Sequence, residues 1–422
     1  MDDSTAAART DAPADVAPTP APTPAPAPAE RRRRPRDRRR QIEAAAAVAF
    51  AQRGYHGVSM QEVAHAVGIS APALYRHFPN KYVLFSTSAL ALAHGLVEAT
   101  DEAATGGHAD PASARRELGD ILAATISTTI DSRASGGIYR WEGRYLTDDD
   151  RARLHDDLRT LRHRVADPLA VLRPDASPEL LDLASRAALS AIASITTHRT
   201  AAPTGAIRSL LADTARRSLT VDPAPADDAP PIDAEGPGVR PRRRKDLLVQ
   251  AAISLFAERG YHEVTIEDIA RAVDLTPSGV YRHFAGKSDL LRAACEQAAA
   301  VLAAAADDAL AREHPADALA TLSNAYLRFA VRDRELMDVY TAEVAALDPD
   351  DQRRLRTLQR NHVAEWVEVL RRVRPELSAR DAKFLVHAGF NVVADLSVTL
   401  RREDPAEAIR RIRPFLNAAL GA

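Results

Sequence analysis

Two short stretches of the chain carry the same ordered set of hydrogen-bonding side chains. These are Tyr75, Arg76 and His77 with Lys81 after them, and Tyr281, Arg282 and His283 with Lys287 after them. Phenol, guanidinium, imidazole and ammonium groups are donors and cations, suited to gripping an anionic surface rather than to breaking a covalent bond. Motifs of catalysis are missing from the sequence. There is no Gly-x-Ser-x-Gly, His-Glu-x-x-His, phosphate loop or dinucleotide fingerprint, and Ser135-Gly136-Gly137 reads as a loop, so no enzyme is expected. The lone cysteine, Cys295, excludes an intrachain disulfide, and without a Cys/His cluster no metal or cofactor is expected.

Both stretches sit inside a duplication. Phe50 to Lys81 recurs as Phe256 to Lys287 at a constant offset of 206. Farther along, Tyr139, Glu142, Leu146, Leu154 and Pro174 recur as Tyr340, Glu343, Leu347, Leu355 and Pro375 at an offset of 201. A module of about 185 residues is therefore present twice. Residues 1–30 are mostly Ala, Pro, Thr and Asp and read as a disordered tail, while 221–241, rich in Pro and Asp, read as a linker. The remainder is Pro-poor and rich in Ala, Leu and Arg, which makes the fold all-α.

Each copy opens with three helical signals. Ile42, Ala45, Ala46, Ala49 and Phe50 form one apolar face, repeated by Leu248, Ala251, Ala252, Leu255 and Phe256, and Gly54 or Gly260 follows as a left-handed cap. A second helix starts at Ser59 with Glu62 completing a capping box, and Thr265 with Asp268 is its equivalent. It breaks at Gly68, where the second copy has Asp274. Ser70 and Thr276 are then N-cap candidates for a short third helix, with Pro277 at the first helical position. Two short helices across a tight turn, the second bearing exposed Tyr, Arg and His, make a helix-turn-helix.

This layout resembles the TetR family of bacterial transcription regulators. About fifty residues of each copy follow that family's pattern, most specifically Tyr-x-His-Phe-x-x-Lys, with Asp274 in place of the turn glycine and Gly279 inside the second recognition helix as departures. The resemblance implies that Tyr75, His77 and Lys81, and Tyr281, His283 and Lys287, hold DNA phosphates. Phe78 and Phe284 are assigned to the core. Base reading falls to Ala71, Pro72, Ala73 and Arg76 in one copy and Pro277, Ser278, Gly279 and Arg282 in the other, with Ser59, Gln61, Ser70, Thr265, Glu267 and Thr276 beside them. The phosphate-holding residues agree between copies and the base-facing ones differ, so an asymmetric operator on double-stranded DNA is expected.

A net charge of −2 does not oppose DNA binding, because the charge is unevenly spread. Residues 31–40 hold eight Arg against one Asp, and Pro241 to Lys245 repeat the feature. Arg38, Arg39 and Arg40, and Arg242, Arg243, Arg244 and Lys245, are expected to be flexible basic arms on phosphates or in a minor groove. No apolar signal core and no run of about 18 apolar residues is evident, so a cytoplasmic protein without a membrane partner is expected.

The domain reading is a tail and arm at 1–35, DNA-binding domains at 36–86 and 242–292, helical regulatory domains at 87–220 and 293–422, and the linker between. Thr147 and Ser378 are caps, and Pro174 and Pro375 are stops. Along 378–400 the polar residues Lys383, His387, Asn391 and Asp395 recur every four positions among apolar ones, and Asp182, Arg186, Ser190 and Ser194 match them. So narrow a stripe requires cover on most sides, and pairing of the two halves within one chain as a pseudo-dimer is favoured over a homodimer. Tyr139, Trp141, Tyr145, Tyr340, Trp366, Phe384 and Phe390 could line an effector pocket, though core is the commoner fate of such residues. Double-length members of the family that control lipid or sterol utilisation imply a small apolar effector, acyl-CoA-like or lipid-like. The leading function is a ligand-responsive repressor; the alternative is an architectural or constitutive DNA-binding regulator without small-molecule control.

Overall fold

The computed structural model describes residues 35–107, 110–134, 137–138, 143–222 and 243–422. Among these every regular element is a helix. In the first half α1 spans Pro35–Arg53, α2 Met60–Ala66, α3 Ala71–Tyr75, α4 Lys81–Thr100, α5 Pro111–Asp131, α6 Asp148–Leu172, α7 Pro178–Ala193 and α8 Thr204–Leu219. The second half repeats the order with α9 Arg244–Arg259, α10 Ile266–Ala272, α11 Pro277–Tyr281, α12 Lys287–Leu310 and α13 Pro315–Arg332, adds α14 Arg334–Ala342, and resumes it with α15 Pro349–Val373, α16 Ala379–Thr399 and α17 Pro405–Leu420. A short 3-10 turn, Gly143–Tyr145, precedes α6.

Local chemistry sets the helix ends. Thr147 and Ser378 accept from Asp150 N and Asp381 N, and α6 and α15 stop just before the prolines at 174 and 375. Arg173 and Arg374, which close these two helices, each donate to the end of their own half's last helix, at Leu219 O (2.8 Å) and Leu420 O (3.2 Å). The duplication thus extends to individual hydrogen bonds.

Helices α7, α8, α16 and α17 form a four-helix bundle between the halves, as the polar stripes require. Ser190 and Asn391 are buried there and bonded to each other. The apolar core is continuous from this bundle into the second DNA-binding head, whereas the first head has a separate core built on Ile42, Phe50, Leu74, Phe78 and Phe85.

Helix α4 runs unbroken through the expected boundary at 86/87, and α12 does the same at 292/293. Each is one rod shared by a head and its regulatory domain. Contrary to the expectation of no such stretch, α4 is also long and apolar enough to cross a membrane, with a mean hydropathy of 1.3. Its apolar surface is explained by double duty: Leu84, Phe85 and Ala89 fill the first head and Leu92 and Leu96 face the regulatory helices. The lone thiol, Cys295 on α12, is buried and pushed up to about 12 by desolvation, so it is inert.

Candidate nucleic-acid interface

Each head is a three-helix unit whose third helix stands on two sequence-encoded devices. The first is the capping box. Ser59 and Glu62 exchange bonds at the start of α2 (Glu62 N to Ser59 Oγ 3.2 Å, Ser59 N to Glu62 Oε2 2.7 Å). Thr265 and Asp268 do so at α10 (3.1 and 3.0 Å), and these bonds draw the Asp268 carboxyl down to about 2. The second device is the turn. Gly68 has φ +68°, and Asp274 in its place holds φ +54°, the one non-glycine residue with positive φ among the described residues.

These supports leave α3 and α11 projecting. Leu74 and Val280 point inward and are fully buried, and Phe78 and Phe284 fill the cores as assigned. Tyr75 and Tyr281 point outward, 45% and 54% exposed, which is unusual for large aromatic residues. Arg76 and Arg282 are exposed at the ends of the same helices, and Gln61, Pro72, Glu267 and Ser278 are exposed beside them. His283 is exposed and His77 half-buried; Ala71, Ala73, Pro277 and Gly279 are half-buried on the first turn. Ser70 caps α3 by accepting from Ala73 N at 3.4 Å. Thr276 departs from the expected cap: its hydroxyl pairs with Ser278 Oγ at 2.9 Å and makes no side-chain cap bond. Ser278, absent from the first copy, competes for it.

The two lysines have contacts within their own heads. Lys287 Nζ donates to Tyr261 O (2.6 Å), Val264 O (2.8 Å) and His262 O (3.4 Å) and lies 4.3 Å above the Tyr261 ring. An ammonium has three donors, so in this arrangement Lys287 clamps the loop before α10. Lys81 Nζ lies over the Tyr55 ring at 4.6 Å. Desolvation lowers the pKa of both amines.

The basic arms also need correction. Arg38, Arg39 and Arg40 are not a free tail but part of α1, whose described residues begin at Pro35. Arg38 donates to Val67 O at 3.3 Å. Arg39 donates to His77 O at 3.1 Å and stacks over Phe78 at 4.5 Å, bracing the recognition helix from behind. Lys245, the counterpart of Arg39, lies over Phe284 at 5.5 Å, and Arg243 and Arg244 are exposed at the start of α9. Arg242 lies outside the described residues, as do Arg31 to Arg34, Tyr139 and Trp141.

Sequence reasoning missed that the heads touch. The His56 and His262 rings, counterparts at the 206 offset, face each other at 4.4 Å, and desolvation lowers both pKa values. Tyr145 packs on Tyr55 (5.5 Å) and His56 (4.9 Å). Its neighbour Arg144 pairs with Glu343 of the second half at 2.5 Å, and Glu343 also accepts from Tyr261 N at 3.3 Å. The 3-10 turn ahead of α6 is thereby wedged between the heads. The histidines' identical place in the repeat was the available signal.

An all-α chain with two helix-turn-helix heads, each presenting Tyr and Arg from a short third helix, defines a two-headed helix-turn-helix protein. The family model for bacterial regulatory proteins of the tetR family matches residues 42–87 and again 248–294. Both heads thus match that family, once in each half of the chain. It is 36% identical over 107 residues to the HTH-type transcriptional regulator TcmR of Streptomyces glaucescens, covering 25% of this chain and 47% of that protein. It is 35% identical over 52 residues to the biofilm operon icaADBC negative regulator IcaR of Staphylococcus epidermidis, covering 12% and 28%. The chain thus spans less than half the length of these relatives. A solved TetR-family regulator from Bordetella parapertussis aligns at 23% identity with a TM-score of 0.38, over 42% of this chain and 96% of that one.

Proposed function

We propose that the chain is a sequence-specific DNA-binding transcriptional regulator, a repressor that reads an asymmetric operator with two different heads and responds to a small apolar effector. The observation that carries this reading is the pair of outward-facing tyrosines, Tyr75 and Tyr281, each on a braced recognition helix within one chain. Tyr75, His77, Tyr281 and His283 hold phosphates; Arg76 and Arg282 read bases, guanine being the natural bidentate partner of Arg. Ala71, Pro72 and Ala73 offer only apolar contact, whereas Ser278 adds a hydroxyl, so the half-sites differ. Repression is supported by the description of the Staphylococcus relatives as negative regulators.

Ligand response is supported by a cleft of about 460 Å3 between the halves, within the range of small-molecule sites. Its walls include α6, whose leading turn touches both heads, so an occupant can alter how the heads sit.

Selection of bound sequences from random DNA tests the reading. The expected product is a site with two unlike halves, and its affinity falls for every sequence after Tyr75→Phe or Tyr281→Phe. Equal affinity for perfect palindromes built from either half-site overturns the asymmetric operator.

A further inference from the structure

The bundle between the halves is nearly symmetric, but the space beside it is not. At the 201 offset, Leu161, Val165 and Leu189 of the first half correspond to His362, Trp366 and Phe390 of the second, and Thr125 on α5 and Tyr326 on α13 line the cleft from the two halves. The second-half set packs on itself. Tyr326 stacks on Phe390 at 4.4 Å, Trp366 meets that ring edge-on at 5.1 Å, and Trp366 Nε1 donates to His362 Nε2 at 3.2 Å. Four large rings fill the second half's share of the interior.

The smaller first-half set leaves the cleft of about 460 Å3. Helices α4 and α6 line it through Leu92, Leu96, Leu158 and Leu161, whereas their counterparts α12 and α15 contribute nothing to its walls. Leu92, Leu96 and Leu161 are buried yet form a small cluster of their own, with Leu189 packed against both it and the main core. Protein interiors pack densely, so apolar side chains held apart in this way mark space shaped for something else. At the first-half wall, Arg162 and Arg186 share one carboxylate, Asp182, at 2.5 and 2.7 Å. Two guanidiniums on one carboxylate make this wall locally positive. On the second-half wall Arg334 faces Asp338 at 3.8 Å, and Asp395 accepts from the Ser190 hydroxyl.

We infer that the chain binds one effector molecule rather than two, in this cleft, and that the effector is an apolar carboxylic acid with its acid group at Arg162 and Arg186. The second half supplies a wall and a plugged copy of the site. This rests on the ligand-responsive reading only for its consequence at DNA, not for the binding itself.

Fluorescence titration of the full chain with cis-parinaric acid tests it. Saturation is expected at one molecule per chain. Thr125→Tyr combined with Leu189→Phe, which puts two large rings into the cleft wall, should weaken binding about tenfold or more. Arg186→Gln should weaken the acid by a similar factor and leave its methyl ester unaffected. No saturable binding, two molecules per chain, or equal affinity of acid and ester for the unaltered protein overturns the inference. The same holds if a double variant that melts normally keeps full affinity. Should the double variant not fold, stoichiometry and the acid–ester comparison on the unaltered chain still decide. One molecule bound per chain with no change in operator affinity keeps the site and overturns ligand control.

Discussion

Asn391 Nδ2 donates to the main-chain carbonyl of Ser190 at 2.5 Å, and these two residues occupy the same position in the two copies of the module. Counterparts can touch only beside the axis that relates them. His56 with His262, and Arg217 Nε with Ala418 O at 2.8 Å, are further pairs of counterparts in contact. One pseudo-two-fold axis therefore runs from the heads to the last helices, with both sides of the interface supplied by the one chain.

That pairing predicts a particle of one chain, 45.6 kDa, by light scattering at micromolar concentration. Twice that mass would count against it. Asn391→Ala removes the donor while the Ser190 carbonyl keeps its helical partner, so the expected cost is about 1 kcal/mol, read as a lower urea midpoint at an unchanged slope.

Three histidines set an acid limit on the regulatory region. His198 and His387 stack at 4.2 Å, and burial takes their pKa values down to about 2 and about 4; His362, buried against Trp366, is lowered to about 4. Lys383, Arg133 and Arg199 deepen the shift at His198, whose stacking partner His387 adds to it. All three are neutral in the fold and take up protons near pH 6.5 once unfolded. Stability is therefore complete above about 6.5 and declines as pH falls from 6.5 toward 4, by up to about 1.4 kcal/mol per pH unit for each histidine. Urea titrations at pH 7, 6, 5 and 4 should show the decline. His362→Leu, which installs the first half's residue, should make it shallower by about one proton. A midpoint constant from pH 7 to 4 would refute the assignment.

The lysine after each motif separates the two heads. Lys287→Met deletes three bonds to the loop at Tyr261–Val264, where charge-assisted hydrogen bonds are worth about 1.5–3 kcal/mol in total effect. Lys81→Met deletes an amine lying over a ring, an interaction of about 0.5–1 kcal/mol. Hydrogen exchange should show faster opening around Val264 in the first variant and little change around Val58 in the second. If Lys287→Met leaves that loop protected yet weakens DNA binding, phosphate is the true partner of the ammonium.

The heads and bundle were legible because their signals are local or repeated. Ser59 and Glu62 are three residues apart, and the stripe through Asn391 returns every helical turn. The carbonyl partners of Lys287 were not legible because its residue type fits phosphate and carbonyl oxygens equally, and only the folded loop at Tyr261 brings those carbonyls to it. Arg39 looked like a tail because charge runs usually are, and its ring partner Phe78 lies 39 residues away in sequence. The cleft depends on size differences at aligned positions, such as Leu189 against Phe390. The 201 offset already held that comparison, but periodicity treats both as inward-facing residues and does not register volume.

Gly279 offers a way to separate head stability from base reading. It lies inside α11 at an ordinary helical φ, where its counterpart is Ala73. A Cβ there would meet Leu275 at 3.6 Å and Thr276 Oγ1 at 3.7 Å, both normal contact distances. Gly279→Ala should therefore stabilise the recognition helix by roughly 0.5–1 kcal/mol, the difference in helix propensity. Thermal melts followed by circular dichroism should show a higher midpoint. Because the new methyl stands on the first turn beside Ser278, the sequence selected by the second head should also shift while that selected by the first stays fixed. An unchanged selection from the second head would mean that this turn does not face the bases.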